Sequence, residues 1–563
     1  MDALRAAALV LAAACAAPAP EERAAPADSA LVITGGRIYT GTGATVEALC
    51  LRDGRVVFAG EGRSALAAAG PHPHVLDLAG ATVVPGLVDA HGHVLGLGAP
   101  LENVDLGGTK SFDEVIERVA ARAATLPAGA WITGRGWDQT RWSTTVFPHH
   151  AALSRAVPDH PVLVTRVDGH AALANARALE LAGLSGVLDP PPAVEGGRVH
   201  LDGEGRATGV LVDTAIGLVS RFVPAPDDAT LRRRALRAQE QLLAEGLTAV
   251  HDMGVTPREL GIFRELEREG LWKLRLHSYL WGNEGLDAPE VEALARDRGD
   301  GRVRVAGVKL MIDGALGSRG AALLAPYADA PGESGLLRME PAELTALVER
   351  AARLGLQPAV HAIGDRGNRV VLDAFEAAAA SVPGFAALRP RVEHAQVVAP
   401  EDWSRFAALG AIPSMQPRHA TSDMRWAEAR LGPERLPGAY AWRRLDAPNA
   451  PLALGSDFPV EPSAPLLGLY AARTRQDEQG APPHGFLPDQ RLSGAEALEG
   501  FTRGAAFAVR EERERGRLLP GFCADLTVLG VDPVAAPAPL LLSARVLLTM
   551  IDGEVVFDAR RTP

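Results

Sequence analysis

Short β-rich runs open the chain after residue 30: Leu31-Val32-Ile33, Arg55-Val56-Val57-Phe58, Val75-Leu76-Asp77-Leu78 and Thr82-Val83-Val84, separated by Gly and Asp-Gly turns. Such runs predict a small sheet. The far end repeats the style in residues 524–529, 546–550 and 552–557, so residues 30–85 and 516–563 are expected to build one composite β domain, a small sandwich. Between the two ends, apolar runs of strand length alternate with amphipathic stretches such as 228–244 and 342–354. That alternation predicts a parallel α/β structure, because strands covered by helices on the outer face lose the in-out polarity of a half-exposed sheet.

Eight strand candidates stand in this central region, at 86–91, 246–252, 273–280, 302–311, 357–362, 391–396, 411–416 and 451–457. Eight is the number that closes a (β/α)8 barrel, here expected over residues 86–515. The gap between residues 91 and 246 is too long for a barrel loop, so an insertion is expected over about 100–235. It carries strand-like runs of its own, Trp131-Ile132-Thr133-Gly134 and Pro161-Val162-Leu163-Val164. Emerging after the first strand, it is expected to cover the face where a barrel gathers its chemistry.

Composition narrows the chemistry. Hydrophobic residues are 47% of the 563 and charged residues 22%, as in a folded globular protein. The formal charge of −12, from 57 basic and 69 acidic residues, argues against nucleic acid as a partner. The 3 cysteines include no CxxC pair, so a metal site would draw on His, Asp, Glu or a modified Lys. Residues 6–17 are almost continuously apolar and follow Arg5, which suits a secretory leader over residues 1–27 but falls short of the ~20 residues a membrane span needs. Leu11-Ala12-Ala13-Ala14-Cys15 has the form of a lipoprotein box, so export with Cys15 lipidated is one expectation; export without it, or a cytoplasmic protein with a mis-assigned start, are the others. Cys50 and Cys523 read as buried small hydrophobes.

The polar residues on the strand map carry the most information. His91 and His93 end the first strand, one residue apart, so both rings point to one side. Lys309 lies near the end of the fourth strand, His361 of the fifth, His394 of the sixth and Asp457 of the eighth. One histidine in an apolar run is usually a satisfied core residue; four at corresponding positions with a lysine and an aspartate suggest a metal cluster.

At these residues the chain resembles a known family. Val84-Pro85-Gly86-Leu87-Val88-Asp89-Ala90-His91-Gly92-His93 is similar to the first-strand signature of the amidohydrolase superfamily. Trp131 to Asp138, Val308 to Arg319, His361-Ala362-Ile363-Gly364-Asp365 and Leu454-Gly455-Ser456-Asp457 resemble amidohydrolase family 3, the group that contains N-substituted formamide deformylase. The resemblance implies a barrel with one or two divalent metals, usually zinc, His91 and His93 on one and His361 and His394 on the other. Lys309 would bridge them as a carbamate, since a free ammonium repels cations; an unmodified Lys309 and a single-metal centre are the alternatives. Metal-activated hydroxide would attack the substrate carbonyl. Asp457 would hold that hydroxide, accept its proton and pass it to the leaving group, unless it merely caps the next helix.

Other residues are candidates for substrate contact. Trp137, Asp138 and Trp142 form either a pocket wall or a minor core. His170 lines the pocket mouth or caps a helix. Arg319 binds a substrate carboxylate or pairs with Asp313 or Asp365. His419, after the seventh strand, would contact substrate or stabilise an oxyanion. His251 and Asp252 are expected behind the metal ligands, and His72, His74, His149 and His150 on the surface. The leading function is hydrolysis of an amide-type bond in a small molecule: an N-substituted amide or formamide, or a cyclic amide, carbamate or ester. A metal-binding regulator without turnover and an isomerase or lyase on the same centre are the alternatives. A homo-oligomer is compatible with the chain.

Overall fold

The computed structural model describes residues 30–560, apart from 140, 141, 145, 167–170, 191, 193, 195, 196, 284 and 318. The leader with Cys15, and His170, lie outside the described residues. Among the described residues no helix is long and apolar enough to cross a membrane.

The centre is an eight-stranded parallel sheet whose strands follow chain order: Leu87–Gly92, Leu247–Val255, Arg275–Trp281, Val303–Met311, Gln357–Ala362, Arg391–His394, Ile412–Met415 and Ala453–Leu454. It is a TIM-type barrel. The ring closes where the first and last strands meet. Asp457 N–H donates to the His91 carbonyl at 2.7 Å, and His93 N–H to the Phe458 carbonyl at 2.9 Å. Gly455 is required at this seam, because a Cβ there would lie 2.5 Å from the His91 backbone nitrogen and from Asp89 Oδ1.

Helices coat the outside by burying one apolar stripe. Asp228–Ala244 starts at Asp227, whose carboxylate accepts the Thr230 N–H at 2.8 Å, and buries Leu231, Ala235, Ala238 and Leu242 at helical spacing. Pro341–Arg353 does the same with Leu344, Val348 and Ala351.

Chain ends and middle meet in two further sheets. Thr82–Pro85 pairs antiparallel with Leu526–Leu529 in a six-stranded sheet that also contains Val546–Ile551 and Glu554–Asp558. A four-stranded sheet of Leu31–Thr34, Ala48–Arg52, Arg55–Gly60 and His74–Asp77 packs on it through Ile33, Leu49, Leu51 and Val56 against Val83, Leu526, Val528 and Met550. Cys50 and Cys523 are buried thiols.

The residues between the first two barrel strands leave through helix Val94–Glu102 and return through Asp228–Ala244. These helices cross so closely that a Cβ on Gly98 would stand 2.2 Å from the Arg234 carbonyl oxygen. In between lies a six-stranded sheet containing Ile132–Trp137, Val162–Arg166, Ala171–Ala174 and Ala207–Asp213. Its faces alternate as a pleated strand demands: Val162, Val164 and Leu173 enter one apolar core, Leu163, Ala172 and Ala174 the other.

Candidate active site

The C-terminal rim of the barrel gathers His91, His93, Lys309, His361, His394 and Asp457. His91 is buried, with Nε2 3.3 Å from Lys309 Nζ and 3.6 Å from Asp457 Oδ1. His93, just past the same strand, places Nε2 3.1 Å from Asp457 Oδ1 and keeps 36% of its side chain exposed. The His394 ring sits 4.7 Å from that of His91 and 4.6 Å from that of His361. Two of these residues are reached by unusual backbone: His394 has φ 72° and Asp457 φ 62°, in the left-handed region that non-glycine residues avoid.

The electrostatics suit two neutral imidazoles, His91 and His394, beside an ionised carboxylate. Burial, then the neighbouring lysine, lowers His91 to about 3. Burial, with His361 and His91 beside it, takes His394 well below the ordinary imidazole range. Lys309 falls to about 8, chiefly by burial. Burial opposes ionisation of Asp457, but the His93 hydrogen bond and nearby His91 and His419 outweigh it and hold the carboxyl well below the usual carboxylate range. Asp457 caps no helix: Ala464 precedes the next one, Pro465–Thr474.

A second layer orients these groups. Asp89 accepts the His91 N–H at 3.0 Å, the Ser456 N–H at 3.0 Å and the Ser456 hydroxyl at 2.6 Å, binding the two strands that carry His91 and Asp457. Burial pushes Asp89 up to about 7. Glu393 Oε2 lies 2.7 Å from His91 Nδ1, and Gln416 Oε1 2.8 Å from His394 Nδ1. Sequence reasoning missed Asp89, Glu393 and Gln416 as partners. The signal for Glu393 was present: Arg391 and Glu393, two apart in the strand Arg391–His394, share one side of it. His251 Nδ1 accepts from Arg391 at 2.9 Å, and Asp252, raised to about 7 by burial, accepts the Val94 N–H at 3.2 Å.

The expected substrate contacts divide. His419 comes to the centre: its Nε2 is 3.6 Å from Asp457 Oδ2, and its ring stacks on His394 at 5.8 Å. Trp137 and Trp142 do not form a pocket wall. Both lie in one core of the inserted sheet, their rings 6.1 Å apart. Their N–H groups are spent on the carbonyls of Val164 at 2.9 Å and Thr109 at 3.0 Å. The pleat turns Trp137 into that core, and a buried indole must find an acceptor there. Asp138 pairs with Arg166 at 2.9 Å. Arg319 is not poised for a substrate carboxylate, nor does it pair with Asp313 or Asp365: its Nε and Nη2 hold Asp329 at 3.2 and 3.1 Å. The other two aspartates are committed to backbone. Asp313 accepts the N–H groups of Ala322, Ile363 and Gly364, and Asp365 those of Leu324 and Arg366.

The donor set fits a divalent cation. One ligand atom each from His91, His394 and Asp457 lie within 4.8 Å of one another. Nε2 of His361 stands 3.4 Å from Asp313 Oδ1 and Nε2 of His419 3.6 Å from Asp457 Oδ2, each buried and without a well-formed hydrogen bond, so neither ring is fully satisfied by the protein. His394 has spent Nδ1 on Gln416 and has Nε2 left to offer.

The sequence profile of the Amidohydrolase family matches residues 74–557. Bacillus subtilis (strain 168) YtcJ is 32% identical over 535 residues, covering 93% of this chain and 98% of YtcJ. The N-substituted formamide deformylase of Arthrobacter pascens is 28% identical over 531 residues, 91% of this chain and 95% of that one. An uncharacterized metal-dependent hydrolase from Pyrococcus furiosus superposes with a TM-score of 0.74 at 32% identity, over 90% of this chain and 100% of its own. Barrel, rim cluster and whole-length similarity agree: this chain belongs to the amidohydrolase family.

Proposed function

We propose that this protein hydrolyses an amide-type carbon–nitrogen bond of a small molecule at a divalent metal centre. His91, His93, Lys309, His361, His394 and Asp457 would hold one or two ions, zinc by the nature of the donors. The observation that carries the reading is the Asp457 carboxylate: ionised, buried, and within 3.1 to 3.6 Å of three imidazoles on the face where a barrel does its chemistry. A cation bound beside it supplies Lewis-acid polarisation of the substrate carbonyl and lowers the pKa of water. Asp457 accepts a proton from the attacking water and returns it to the leaving nitrogen, one carboxylate serving both steps. His419, across from Asp457, is placed to donate an N–H to a carbonyl oxygen as charge develops on it. Lys309 is read as a carbamate: the neutral amine adds to carbon dioxide, an N–C bond forms and one proton leaves. N-substituted amides and formamides are the first substrates to test, because a relative over nearly the whole chain is named a formamide deformylase. Cyclic amides, carbamates and esters share the same carbonyl chemistry.

The test is a panel of these compounds, assayed for released amine and acid on protein of measured metal content. Turnover that is lost on chelation and restored by zinc is expected. Full activity in metal-free protein, or product rearranged without uptake of water, would overturn the reading; the second result would favour an isomerase or lyase on the same centre.

A further inference from the structure

The histidines of the rim are not held alike. His394 is backed by the neutral amide of Gln416, and His93 faces Asp457 within the cluster. His361 has only a loose carboxylate neighbour, Asp313 Oδ1 at 3.4 Å from Nε2, whereas His91 makes a short hydrogen bond from its rear nitrogen to a carboxylate outside the cluster, Glu393 Oε2 at 2.7 Å from Nδ1. An ionised carboxylate only accepts, so Nδ1 carries the proton and the Nε2 lone pair faces Lys309 and Asp457.

Glu393 is itself held immobile. Its oxygens take Arg391 Nε at 2.8 Å and Nη2 at 3.1 Å, with both side chains fully buried. The rest of the guanidinium is spent as well. Nη1 meets His251 Nδ1 at 2.9 Å and the Tyr279 hydroxyl at 3.0 Å; Nη2 donates to Ser414 Oγ at 2.8 Å and the Ala90 carbonyl at 2.7 Å. Ala90 immediately precedes His91. One guanidinium therefore secures the backbone leading into His91 and, through Glu393, the far side of its ring. A buried ion pair this costly to desolvate is weak evidence for a stabilising role, and a hydrophobic pair would pack the barrel interior as well. Its geometry is explained by what it does to His91.

We propose that Glu393, clamped by Arg391, is a positioning residue that fixes the tautomer and direction of His91 and strengthens it as a neutral donor. The proposal rests on the metal-centre reading above. Its consequence is separable from catalysis: Glu393 sets how tightly metal is held, before any substrate binds.

The experiment is titration of metal-free protein with Zn2+ against a chromophoric chelator, for wild type and Glu393→Gln, with the melting temperature of each metal-free protein recorded. A folded Glu393→Gln protein should bind Zn2+ about 10- to 100-fold more weakly, the range in which second-layer partners act on ligands. With Co2+ in place of Zn2+, its visible absorption bands should shift. The amide leaves Arg391 without a counter-charge and the variant can fail to fold on that account. Arg391→Gln/Glu393→Gln, which removes both charges, then takes its place with the same expected loss. Zn2+ affinity within about threefold of wild type in either folded variant, well short of the second-layer effect, overturns the positioning role. Wild type that binds no Zn2+ overturns the metal centre itself, which keeps the two failures apart.

Discussion

The barrel rim and the inserted sheet both bury polar atoms at the ends of apolar strands, yet treat them in opposite ways. In the inserted sheet every described indole N–H among the two candidates is spent on a backbone carbonyl, at Val164 for Trp137 and Thr109 for Trp142. At the rim, Nε2 of His361 and of His419 are buried with a carboxylate oxygen at 3.4 and 3.6 Å but no well-formed hydrogen bond, and Lys309 Nζ meets an imidazole nitrogen. Burial alone does not separate the two, since Trp137 is as inaccessible as His91. The distinction is whether the polar atom's bonding capacity is already used, because an unsatisfied buried donor or acceptor costs free energy that only a ligand can return.

Three substitutions test that contrast. Trp137→Ala empties a filled core and should destabilise the protein by about 3–5 kcal/mol, read by thermal or denaturant unfolding, with KM and substrate preference of the folded fraction unchanged. A changed substrate preference at intact stability would put Trp137 back in the pocket. Asp457→Asn is nearly isosteric and removes the proton acceptor. Its kcat should fall at least ~10²-fold, equivalent to about 2.7 kcal/mol, with little change in melting temperature. Activity within a few-fold of wild type would strip Asp457 of its role. Arg319→Ala should do least: its partner Asp329 also holds Arg430, and an ion pair open to solvent contributes little to stability. A large rise in KM for acidic substrates would show that the guanidinium leaves Asp329 to bind them.

The candidate cluster was legible because barrel geometry converts position along a strand into position in space. Lys309 stands out as the one cation in the apolar run 305–311, and His91 and His93 as a pair with one neutral residue between them. Strand periodicity then puts their side chains on one side. The same rule hid Glu393. It adjoins His394, and neighbours on a strand point to opposite faces, so only one of them was assigned to the site. Positive φ at His394 and Ala395 breaks the alternation, and the side chains of Glu393 and His394 both reach His91. Arg319 was misjudged for another reason. Its loop places it beside Asp329, a closer partner than either aspartate considered from the sequence.

By itself, then, the sequence determined the eight parallel strands, their order and the residue types at their ends, since hydrophobic period, run length and residue type are local properties of the chain. Tertiary structure alone decided which polar atoms were already satisfied. Asp313 and Asp365 were consumed by backbone N–H groups, Trp137 by a carbonyl of the neighbouring strand, Trp142 by the Thr109 carbonyl of a loop, and Arg391 by acceptors on several barrel strands. Hydrogen bonds between segments far apart in the chain depend on where the backbone turns, and a turn such as that at His394 or Asp457 has no hydrophobic period to announce it.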